Sequence, residues 1–137
     1  MWKIYALLAA LFASLTAIFS KIGVKDVDSN LATAIRVSFI LLLTWGIVLF
    51  TGMVREVRNV SGNTLLFLFL SAAATGMSWL FYFKALQLGD VSKVAAIDKL
   101  SVAITIFLAV LLLNEPAGFK TITGGILITC GAFVLIL

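Results

Sequence analysis

Charge is missing from five long stretches of this chain, and that absence dictates most of what it can become. Residues 4–20, 37–54, 59–83, 100–114 and 121–137 contain no Asp, Glu, Lys or Arg. The stretches are 17, 18, 25, 15 and 17 residues long and take up 92 of the 137 positions. A helix needs roughly 20 residues to cross about 30 Å of hydrocarbon. Five runs near that length describe an all-α polytopic membrane protein, a bundle of five transmembrane helices. A soluble domain is about a quarter charged residues, whereas here 12% are charged and 63% are apolar. Soluble enzymes, nucleic-acid binders and secreted disulfide scaffolds are excluded on that ground alone.

Several chemistries fall with them. The chain has no histidine, so no Ser-His or Cys-His nucleophile and no histidine metal site can form. Its one cysteine, Cys130, lies inside the last apolar run and has no partner for an internal disulfide. No glycine-rich phosphate loop follows a strand pattern. The net charge of +4 comes from basic residues scattered along helix boundaries rather than gathered in a patch. Residues 1–20 resemble a signal peptide only superficially, because 17 apolar residues exceed the roughly 7–15 of such a core. The reading is therefore not an enzyme, with no catalytic residue, no cofactor and no metal.

The helices are expected at about 3–22, 31–53, 64–88, 91–113 and 118–137, forming one domain over 1–137. Gly23 follows the first, and Ser29 or Asn30 can cap the second. Gly52 closes the second helix, and Arg55–Asn59 with Ser61–Asn63 forms the next loop. Gly89-Asp90 is so short a link that helices 3 and 4 should form an antiparallel hairpin. Asn114-Glu115-Pro116 ends helix 4, since proline cannot continue a helix interior.

An odd number of spans puts Lys3, Arg55, Arg58 and Lys120 on one side. Lys21, Lys25, Arg36, Lys84, Lys93 and Lys99 fall on the other, several of them inside helices. Counting loop and edge positions alone, the sides nearly balance, and the positive-inside rule gives little orientation. Either one side wins weakly, or copies insert both ways and pair antiparallel.

Helix 4 carries the charges that intrude. Its uncharged stretch is 15 residues, too short to span alone, so Asp98 and Lys99 are drawn toward the membrane. Ionisable residues at such depth are functional candidates, unless the hairpin protrudes and leaves them among headgroups. Asp98, Ser101 and Thr105 share a face, while Lys99 lies about 100° round and is expected to find a different neighbour. On helix 3, Ser71, Thr75, Ser78, Trp79 and Tyr82 share one face, which reads as a cavity wall or as polar glue between helices. Arg36 sits within helix 2. With Lys99, Lys84 and Lys21 it outnumbers Asp98, a field suited to a carboxylate or phosphate; the alternative is lysines snorkelling to anionic lipid. Gly124, Gly125 and Gly131 on helix 5 form a helix-pairing surface.

Three segments carry a resemblance. The run Ala85–Val102 is followed by Leu113-Asn114-Glu115-Pro116 and then by the Gly124-Gly125 helix. Together with the small-residue first helix ending Ser20-Lys21-Ile22-Gly23, this order resembles an EamA-like domain of the drug/metabolite transporter superfamily. The likeness covers nearly the whole chain and points to the minimal five-helix bacterial or archaeal type, one half of the usual ten-helix arrangement. Where the family has Leu-Gly-Glu this chain has Leu113-Asn114-Glu115. The helix 5 glycines are similar to those of the dimer-forming helix in small multidrug-resistance proteins, whose acidic first-helix residue is absent here.

The resemblance implies a secondary transporter of a small metabolite, in the plasma or inner membrane of a prokaryote, acting by alternating access. The expected partners are a small-molecule solute, the lipid bilayer and a second copy in a homodimer, antiparallel if topology is dual, and not nucleic acid. The substrate-binding candidates are Thr75, Ser78, Trp79, Tyr82, Asp98, Lys99, Ser101 and Arg36. The competing readings are a non-transporting assembly subunit and a proton-coupled exporter of cationic drugs using Asp98.

Overall fold

A computed structural model describes all residues, 1–137. It contains helices α1 (Trp2–Gly23), α2 (Ser29–Phe50), α3 (Gly62–Leu88), α4 (Val91–Asp98), α5 (Leu100–Leu113) and α6 (Phe119–Ile136). A 3-10 segment, Met53–Asn59, lies between α2 and α3, and there is no strand. With Val91–Leu113 taken as one run, five spans are long and apolar enough to cross a membrane. The polytopic all-α reading holds.

Helix ends depart from expectation for local reasons. Asp28, not Ser29 or Asn30, caps α2: its Oδ1 accepts from the Asn30 and Leu31 N–H groups at 2.9 and 3.2 Å. A carboxylate there also complements the positive end of the helix dipole. At the far end α2 stops at Phe50, and Gly52 adopts a left-handed φ of 71° that glycine tolerates without strain. The expected fourth helix is two helices. At Lys99 the backbone tightens into i→i−3 bonds, Lys99 N–H to Ala96 O (3.2 Å) and Val102 N–H to Lys99 O (3.0 Å). Such a 3-10 step inside a span marks a point of altered geometry.

The chain divides into two compact units, residues 20–87 and residues 1–19 with 88–137. In the first, the end of α1 and the loop after it are tied to the end of α3. Lys21 Nζ donates to the Leu86 carbonyl, and Gln87 Nε2 donates to the carbonyls of Val24 (3.0 Å) and Val27 (2.7 Å). Val24 and Leu86 are the most completely buried large side chains in the protein. In the second unit, α4 and α5 both pack on α6. Small residues make that approach possible: Ala96, Gly125 and Ala132 are buried.

Most large apolar side chains, such as Leu42, Phe67 and Phe107, are exposed on the helices. A soluble protein could not carry such a surface, but hydrocarbon solvates it.

Candidate functional site

Arg36 and the aromatic face of α3 form the most unusual cluster. Trp79 and Phe83 are four residues apart, so they stack one turn above the other on α3. Arg36 comes across from α2: its guanidinium carbon lies 4.2 Å from the Trp79 ring centroid and 5.6 Å from that of Phe83. A cation over an indole face is attracted by the ring quadrupole, and more strongly where water is excluded. Nη1 of Arg36 is buried and has no hydrogen-bond partner. No carboxylate pairs with the guanidinium. A half-buried charge without a counter-ion is costly, and an oxyanion is the ligand that would complete it.

The remaining α3 candidates surround this cluster unevenly. Tyr82 is half-buried, while Thr75 and Ser78 are exposed. The Thr75 hydroxyl donates to the Ser71 carbonyl of its own helix at 2.9 Å, a bond that leaves its lone pairs free to accept. Within the stripe, Trp79 is the residue whose ring meets the Arg36 guanidinium.

Asp98 and Lys99 belong to the other compact unit. They pair with each other, Nζ to Oδ2 at 3.2 Å, which corrects the expectation that they would find different neighbours. The pairing coincides with the 3-10 step at Lys99, where the regular 100° advance is interrupted. Ser101 and Thr105 lie beyond the step and are exposed, so the face expected to run from Asp98 to Thr105 crosses the interruption. Lys84 and Lys93 are exposed.

The α6 glycines separate into two faces. A Cβ added at Gly125 would come 3.2 Å from Ile106 Cδ1, so this glycine seats α6 against α5 within the chain. Gly124 and Gly131 have nothing within 4 Å of that position and face open space. Between α5 and α6 lies an apolar groove of about 400 Å³ whose lining includes Ala103, Ile106, Phe107, Gly125, Thr129 and Cys130.

Sequence reasoning missed Phe83, Gln87 and the Leu86 carbonyl as the partner of Lys21. Phe83 was open to discovery, since it sits four residues beyond Trp79. Gln87 offered only the hint of an amide at a helix end.

The sequence matches the EamA-like transporter family over residues 1–137. The chain belongs to that family. It is also 45% identical over 134 residues to an "Uncharacterized transporter in cobO 3'region" from Sinorhizobium sp., a match covering 98% of this chain and 95% of the relative. No solved structure matches. The chain is a membrane transporter of the EamA-like type.

Proposed function

We propose that the chain is a secondary transporter of a small metabolite bearing a carboxylate or phosphate, working by alternating access as a homodimer. The observation that carries this reading is Arg36. It lies seven residues into α2, roughly 10 Å along the axis, with a buried unpaired Nη1 and no acid beside it. An ionisable group at that depth is a functional site by default. Arg36, Thr75, Ser78, Trp79 and Tyr82 contact the solute during the cycle. Asp98 and Lys99, with Ser101 beside them, respond to its charge or to a coupling ion.

A five-helix unit has no internal inverted repeat, and two oppositely inserted copies supply the symmetry that alternating access uses. The near balance of basic residues across the two sides supports opposite insertion. The open Gly124 and Gly131 face of α6 suits helix pairing between copies. The plasma or inner membrane of a prokaryote is the setting, in keeping with the Sinorhizobium relative. Export of cationic drugs through Asp98 is the weaker reading, because that acid is already compensated by Lys99 and residues 4–20 contain no other.

Proteoliposomes preloaded with organic acids or phosphate esters test the proposal by exchange against labelled solute. Arg36→Ala, Asp98→Asn and Lys99→Ala should each lower the rate about tenfold or more, the size of a lost charge-assisted hydrogen bond. Helical content should be unchanged. Unaltered exchange in all three variants overturns the site, and exchange of cations but not anions overturns the solute class.

A further inference from the structure

Trp79 and Phe83 present two aromatic faces to one cation, which is how proteins capture organic ammonium groups. Here the occupant is the protein's own guanidinium. We propose that Arg36 is the charge selector of this transporter: it fills an aromatic box that would otherwise admit a compact organic cation, and it offers its unpaired Nη1 to an oxyanion instead. This deepens the anion-transport reading and rests on it for the solute, but the box itself rests on geometry alone.

Three features support a selector rather than an ordinary structural arginine. An arginine kept for stability inside a span is normally paired with a carboxylate or with carbonyls, and Nη1 of Arg36 has neither. The closest ring is centred only 4.2 Å from the guanidinium carbon, so a second cation cannot share that face of Trp79. Both rings come from one helix and the cation from another, so deleting the arginine side chain leaves the two faces spaced as before. The emptied space has the shape of the side chain that left it, and alkylguanidinium or tetramethylammonium ions fit it.

The test is binding to the purified protein with Trp2→Phe and Trp45→Phe, which leaves Trp79 as the sole tryptophan. Ethylguanidinium and tetramethylammonium are titrated while indole emission is followed. The Arg36-containing protein should show no saturable change. Arg36→Ala should bind both cations at least about tenfold more tightly, and Phe83→Leu added to it should reverse the gain. Arg36→Lys, which keeps an ammonium in the box, should remain closed. If Arg36→Ala does not fold, Arg36→Met supplies a neutral variant that keeps the stem's apolar contacts.

A folded neutral variant that binds the cations no better than the parent overturns the proposal. So does equal binding by the parent. Exchange assays separate the two readings. If neutral variants gain cation binding but the parent carries no anion, the solute class fails and the box stands. If anion exchange falls in Arg36→Ala without any gain for cations, the solute class stands and the selector role fails.

Discussion

At Asn114 the backbone takes a conformation that most side chains resist. Its φ of 53° is left-handed, and its N–H and that of Glu115 both turn back to the Ala109 carbonyl to close α5. Glycine is the usual residue in such a cap and asparagine the usual substitute, which explains why Leu113-Asn114-Glu115 can stand where the family has Leu-Gly-Glu. Asn114→Gly should therefore leave stability in detergent within about 0.5 kcal/mol. Asn114→Val should cost about 1–2 kcal/mol, the penalty for a side chain in the left-handed region, and a thermal or denaturant melt reads the difference. Other single residues were open to sequence reasoning by their type alone. Arg36 stands out as a charge within an otherwise apolar helix, but nothing in the sequence tells that its guanidinium meets the Trp79 and Phe83 side of α3. That depends on how α2 and α3 turn toward each other. The self-pairing of Asp98 and Lys99 escaped notice because neighbours on a regular helix point apart, and the helix there is not regular.

The spans were readable because their signal is length without charge, which the hydrocarbon thickness converts directly into helices. The break between α4 and α5 was not, because it has no proline or glycine to announce it. Ala96–Val102 is a sequence that a continuous helix could equally accommodate. Helix ends were readable where a glycine acts, at Gly52, and misplaced where two or three capping residues compete, at Asp28, Ser29 and Asn30. The clamp at the end of α3 is another feature of packing rather than pattern. Gln87 satisfies two loop carbonyls that would otherwise need water, each bond contributing about 0.5–1.5 kcal/mol. Gln87→Ala should loosen residues 24–28, seen as faster amide exchange there with the centre of α2 unchanged. Gln87→Glu keeps the shape but cannot donate when ionised, and should loosen the loop to a similar degree. Protection in the loop equal to the parent's in both variants would show that the amide contributes nothing.

For the whole molecule, opposite insertion of two copies makes a geometric prediction that parallel pairing does not share. Residues advance roughly 100° each around a helix, so Gly124, Ile128, Gly131 and Leu135 line one side of α6. Gly124 and Gly131 on that side are open, whereas Gly125 is occupied by Ile106. Cys130 lies about 100° away from Gly131, at the groove between α5 and α6, and is poorly placed to report pairing through the glycine side. With Cys130→Ser as background, single cysteines at 128 and 135 distinguish the arrangements. In a parallel pair each position meets its own copy, so both Ile128→Cys and Leu135→Cys form disulfide dimers. In an antiparallel pair only a residue near the crossing point meets itself. The midpoint between Gly124 and Gly131 puts that point beside Ile128. Ile128→Cys should then crosslink, Leu135→Cys alone should not, and Gly124→Cys should crosslink with Gly131→Cys when the two are co-expressed. Gly131→Leu, which fills the close approach, should abolish the Ile128→Cys product while leaving the monomer folded. Self-crosslinking at both 128 and 135 would establish parallel copies and remove the inverted symmetry on which the alternating-access proposal depends.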